Sequence, residues 1–270
     1  MESKMKRLFI TLSTMLVAFM ANAQSCPDDN HPHAIDLGLP SGTKWACCNV
    51  DTDYPKNQSP TNYGGYYAWG ETQTKSKYDW NNYIHCDGSE TTCHDLGPDI
   101  AGTKYDVAHV LWGGSWVMPS KDQMEELTNI CSYKETTKNG VDGGLFTGPS
   151  GGAIFLPTAD IRWNAFLECL ILGGYYWSST QSLSSDGAYR LYFNLSWGGG
   201  CAQSDLRGIG FTVRPVIGGT NNETNNIIHP KSSNDNTSHA DCNIYDLQGR
   251  RINNVPKKGI YIQNGKIIIK

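Results

Sequence analysis

The period of apolar and polar positions changes several times along the chain, and each change marks an element. In GGSWVMPSKDQMEELTNIC, residues 113–131, Met124, Leu127 and Cys131 recur at helical spacing. Ser120 stands before them with Gln123 three residues on, the pattern of a capping box. This predicts a helix whose apolar face packs on the core, with Asp122, Glu125 and Glu126 near its positive end. Strands are predicted at AIDLGL and TKWACCNV around a PSG turn, at the aromatic YYAWGE, and at YYWSST, AYRLYFNLSW and IGFTVRPV. LFT and AIFLP flank GPSGG as a hairpin, while residues 72–110 are polar and predict a long excursion of loops.

These elements read as one continuous folded domain from about Ala34 to Ile217, within a mature domain spanning 24–217. Residues 218–240 are rich in Asn, Gly, Ser and Thr, the composition of a flexible polar linker. Strand-like order resumes in the tail 241–270, where Asn264-Gly265 is a hairpin signal. At the other end, Lys4, Lys6 and Arg7 precede the apolar run LFITLSTMLVAFM and the small residues ANA. That is the layout of a secretory signal peptide over 1–23, cleaved near Ala23, and not of a spanning helix. A lipidated Cys26 is the disfavoured rival, because AQS is a poor lipoprotein box. No other stretch is apolar enough to span a membrane.

Composition narrows the picture. The 270 residues carry a formal charge of -4, so no basic footprint for nucleic acid is present. With 29 Gly, 14 Tyr and 8 Trp but only 18% charged residues, the chain favours a loop-rich domain with an aromatic core over a helical bundle. In an exported protein some of the nine cysteines should pair, and the odd count leaves one over.

Chemistry-bearing motifs are few. GPSGG fits the pattern G-x-S-x-G, but its flanks read as strands, so it is a turn and not a nucleophile elbow. His85-Cys86 and Cys93-His94 offer four zinc-type ligands, yet the spacing favours a Cys86–Cys93 disulfide closing a surface loop. Carboxylates are scattered, and no catalytic, metal or cofactor set is predicted. Aromatic clusters at 63–69, 175–177 and 189–197 serve either as core or as platforms for sugar rings. Tyr192, Asn194 and Trp197 read as the exposed positions of one strand, with Asp205 and Arg207 in a loop after it; these five form the candidate ligand site.

Two segments carry a resemblance. AIDLGLPSGTKWACCNV, YGGYYAWGET, GGSWVMPSKDQMEEL, YYWSST, YRLYFN and GFTVRPV, in that order, resemble the Fibrobacter succinogenes major paralogous domain. That group belongs to the formylglycine-generating-enzyme-like branch of the C-type lectin fold. The resemblance implies an α+β fold with about two helices, short twisted sheets and long loops. It also implies a Cys48–Cys131 bridge and a variable binding surface over residues 194–207. The cysteine pair of the enzyme branch is not carried over, since only Cys201 lies in the corresponding region. The tail NIYDLQGRRINNVPKKGIYIQNGKIIIK is similar to a type IX secretion sorting domain, a small all-β module that engages secretion machinery.

The expectation is an exported, non-enzymatic binding protein, secreted or on the outer-membrane surface, that recognises a glycan or surface protein through loops. The alternatives are an enzyme of the formylglycine-generating type and an adhesin or fimbrial subunit.

Overall fold

A computed structural model describes residues 30–54, 56, 58–164, 166–168, 173–194 and 199–219, together with short strands between 244 and 269. The architecture is mixed α+β, with two helices and several short antiparallel sheets among the described residues. In chain order come β1 (Ala34–Asp36), β2 (Lys44–Ala46), α1 (Val107–Trp112), α2 (Lys121–Ile130), β3 (Ser132–Lys138), β4 (Val141–Thr147) and β5 (Ala153–Pro157). Then follow β6 (Ile161–Trp163), β7 (Phe166–Glu168), β8 (Gly173–Gln181), β9 (Gly187–Asn194), β10 (Gly199–Leu206) and β11 (Val216–Ile217).

The organising element is the sheet β10-β9-β8, because its central strand is buried on both faces. Successive side chains of a strand point to opposite faces. Tyr175, Trp177, Ala188 and Tyr192 accordingly join one apolar cluster with Trp69, Phe211 and Val213. Tyr176, Leu191 and Phe193 join the other, with Met124, Leu127, Phe146 and Ile154. Alternation alone would have put one face of β9 in water; here two core layers sandwich it.

Helix α2 forms as its sequence predicts. Gln123 N–H donates to Ser120 Oγ at 3.3 Å, and Ser120 N–H donates to Gln123 Oε1 at 2.9 Å. Met124, Leu127 and Cys131 are buried. The hairpin β4–β5 turns through residues 148–152, with Thr147 opposite Ala153. A side chain at Gly148 would collide with the Leu37 carbonyl, which is why that turn position is glycine. Polar β3 pairs with β4 at an exposed edge and shows no apolar period. The region 72–110 is loop apart from the start of α1, as its polarity predicts.

GFTVRPV does not form one long strand. Phe211, Thr212 and Val216 make isolated bridges to Tyr67, Tyr176 and Val117, and only Val216–Ile217 forms a strand, on β2. Arg214 supplies further connections from full burial: Nε donates to Asn49 Oδ1 at 2.6 Å, Nη1 to Ala46 O at 3.0 Å and Nη2 to Phe155 O at 2.9 Å. Two buried indoles satisfy their N–H groups in the same way, Trp177 on the Tyr67 carbonyl and Trp69 on that of Ser178.

In the tail, β12 (Ile244–Tyr245), β13 (Arg251–Ile252), β14 (Ile260–Gln263) and β15 (Lys266–Ile269) form an antiparallel sheet of order β13-β12-β14-β15. Gln263 pairs with Lys266, and the Asn264-Gly265 turn expected between them lies outside the described residues. Among the described residues no helix is long and apolar enough to cross a membrane. The signal-peptide segment 1–23, Cys26 and linker residues 220–240 lie outside the described residues.

Candidate functional site

The register of the central sheet assembles a polar and aromatic array. Tyr192 pairs with Tyr175 on β8 and with Cys201 on β10, while Ala188 pairs with Asp205. Paired residues share a face, so Tyr175, Arg190, Tyr192, Asn194, Cys201 and Asp205 all project to one side. Arg190 Nε donates to Asp205 Oδ2 at 2.8 Å. The guanidinium carbon lies 4.8 Å from the Tyr175 ring centre, 5.2 Å from that of Tyr192 and 5.7 Å from that of Phe211. Asn194 Nδ2 donates to the Tyr192 hydroxyl at 3.1 Å. Burial, with Tyr192 beside it, pushes the Tyr175 hydroxyl above the ordinary phenol range, so it stays a neutral hydrogen-bonding group.

The array reaches solvent at one end. The Asp205 side chain is 25% exposed and that of Arg190 10%. Arg190 Nη1 is buried and has no hydrogen-bond partner among the described residues. The guanidinium is held between rings and fixed through Nε, so the group of this array that faces solvent is the Asp205 carboxylate, an acceptor for ligand hydroxyls.

Three of the five predicted ligand residues, Tyr192, Asn194 and Asp205, therefore share one array. Their predicted exposure is not met: Tyr192 is 6% and Asn194 4% exposed, because β9 is covered on both faces. Nor is the stretch after residue 199 a loop. It is β10, paired with β9 along its length despite its glycines and polar residues. Gly200 makes this possible, since an added Cβ would press on Leu191 and on Thr128 of α2.

Arg207 is corrected outright as a surface residue. It is fully buried, donating from Nε to the Tyr83 hydroxyl at 3.0 Å and from Nη1 to the carbonyls of His94 and Ser185. Its guanidinium carbon also lies 4.6 Å from the Trp69 ring centre. Trp197 lies outside the described residues. Arg190 and Tyr175 are the members that the search for exposed residues missed; their signal was the two-residue spacing of Arg190 from Tyr192 and the aromatic run at 175–177.

Cys86 and Cys93 are disulfide-bonded, which consumes both sulfurs of the zinc alternative. His85 Nε2 instead meets the Gly70 carbonyl at 3.0 Å, and His94 Nε2 meets Asp87 at 3.1 Å. The Cys48–Cys131 bridge does not form, and Cys131 is a free thiol. The two residues are separated by the fold: Cys48 belongs to the cluster around Trp69, Cys131 to the one around Phe193. Cys201 is disulfide-bonded, its partner lying outside the described residues. His31, His33 and Cys47 form a separate group able to hold a metal ion at the β1–β2 edge. The H-x-H spacing just before a predicted strand is its signal in the sequence. Comparison of the chain with protein-family models, with curated proteins and with solved structures finds no match.

Proposed function

We propose that the protein is an exported binding protein with a C-type-lectin-like domain that recognises a glycan or surface protein. In this reading the signal segment and the sorting-type tail carry it to the outer surface. The observation that carries the proposal is Asp205. Its carboxylate is fixed by Arg190 Nε and opens to solvent at the end of the array. A hydroxyl-rich ligand such as a glycan donates to this carboxylate. A glycan and surface-protein array probed with the full chain tests this. The expected result is a discrete set of hits that an Asp205→Ala variant with unchanged circular dichroism loses by roughly tenfold or more. No hits on either array, or hits indifferent to Asp205, overturn the reading.

A further inference from the structure

Ahead of β1 the chain reads His31-Pro32-His33. The β1–β2 ladder continues outward from the Ala34–Ala46 pair, since Cys47 N–H donates to the His33 carbonyl at 3.0 Å. That pairing sets both imidazoles against the Cys47 sulfur. His31 Nδ1 lies 3.3 Å and His33 Nδ1 3.8 Å from Sγ. All three ligand atoms fall within 4.8 Å of one another.

Ligands on a tetrahedral zinc ion, at about 2.3 Å for sulfur and about 2.0–2.1 Å for nitrogen, stand roughly 3.6 Å apart. The two sulfur–nitrogen distances bracket that value. The rings are inclined at 85° to each other, so they approach the sulfur from different directions. His33 N–H also donates to Sγ at 3.1 Å, a contact that orients the sulfur lone pairs. Burial distinguishes a metal site from a reactive thiol: Cys47 is 0% exposed, which closes it to a substrate, while the histidines are half-buried over it.

We propose that His31, His33 and Cys47 bind one Zn²⁺ ion. On coordination the Cys47 thiol releases its proton to solvent, and the two neutral imidazoles bind through Nδ1. Three protein ligands leave one tetrahedral position for water or a further donor. The ion ties the segment before β1 to the core cluster that contains Cys47.

The test uses the untagged full chain, stripped with a chelator and kept under inert gas without a thiol reductant so that the Cys86–Cys93 disulfide stays closed, titrated with ZnCl₂ in a calorimeter and, separately, with CoCl₂ in a spectrophotometer. The expected results are one zinc per chain and a cobalt spectrum with tetrahedral d–d bands and sulfur-to-cobalt charge transfer. His31→Gln and His33→Gln should each weaken zinc binding by more than about 10-fold, and Cys47→Ala should abolish the charge-transfer band. Cys47 is in the core, so the two histidine variants decide the matter if Cys47→Ala does not fold. The proposal is overturned if the parent chain takes up no zinc. It is equally overturned if the cobalt spectrum lacks the sulfur band, or if neither histidine variant changes the affinity.

Discussion

Arg207 Nε donates to the Tyr83 hydroxyl at 3.0 Å in the core, and Tyr83 in turn donates to the Trp69 carbonyl at 2.7 Å. Nη1 and Nη2 both reach the His94 carbonyl, and Nη1 also reaches that of Ser185. One guanidinium thus fastens the loop closed by the Cys86–Cys93 disulfide to the residues beside the β8–β9 turn. It is a structural clamp, although its sequence position pointed to a ligand.

Replacing Arg207 should therefore act on stability. Arg207→Met removes the donor to the Tyr83 hydroxyl and those to the His94 and Ser185 carbonyls from a buried position, at a cost of roughly 3 kcal/mol or more. Urea unfolding followed by circular dichroism measures it. A variant as stable as the parent would show that the clamp contributes little.

Arg190 and Asp205 make the opposite comparison. Their side chains are 10% and 25% exposed, so the pair is partly screened. A double-mutant cycle with Arg190→Met and Asp205→Ala should give a coupling of roughly 1–3 kcal/mol. Asp205→Ala should be the costlier single change, because Nη1 has no partner among the described residues and Nε would then lose its own. Equal single costs with no coupling would remove the electrostatic account of the array.

Local structure was the legible part of this chain. Ser120 and Gln123 cap α2, residues 148–152 turn the β4–β5 hairpin, and Cys86 pairs with Cys93, because each depends on residues close in sequence. Burial was less legible, because it depends on what covers a strand from outside. Tyr192 and Asn194 looked like the open face of an alternating strand, yet the cluster around Trp69 and Phe211 covers that face. β10 escaped notice because its glycines and polar residues have low strand propensity, which pairing with β9 and packing under α2 override. The array itself needs the register of three strands, which no single segment carries.

Asp106 should not tolerate its amide. Its Oδ1 accepts the His109 N–H at 3.1 Å, capping α1, while Oδ2 accepts the N–H groups of Gly102 at 2.9 Å and Met118 at 3.0 Å. Asn keeps one acceptor oxygen and turns an NH₂ group toward backbone donors on the other side. Asp106→Asn should cost about 1–3 kcal/mol, read as a lower thermal midpoint at neutral pH. An unchanged midpoint would mean that one acceptor atom suffices.

His85 makes stability depend on pH. Burial foremost holds its pKa below the ordinary imidazole value, against the opposing pull of its bond to the Gly70 carbonyl. The unfolded chain therefore binds the proton more readily than the folded one. Stability is intact above the unfolded value of about 6.5 and falls as pH drops below it, until the folded imidazole also protonates. The urea midpoint of the parent should decline between pH 8 and pH 5 more steeply than that of His85→Gln. Parallel declines would assign the acid sensitivity elsewhere.

Cys131 should be the slow thiol in the native protein. It is buried behind α2, and burial, with Glu126 adding to it, pushes its pKa up to about 11. Reaction with iodoacetamide proceeds through the thiolate, and each unit of elevation cuts that population tenfold at a fixed pH near 8. Two units above an ordinary thiol slow alkylation roughly a hundredfold, before any loss of access is counted. Peptide mapping after native alkylation without reductant should find Cys131 unmodified, and alkylation in urea without reductant should then modify it. The second step separates a sheltered thiol from a bonded one, since a Cys48–Cys131 disulfide would resist alkylation in urea as well. Modification only after reductant is added would show Cys131 to be disulfide-bonded, and rapid native labelling would show that the end of α2 opens to solvent.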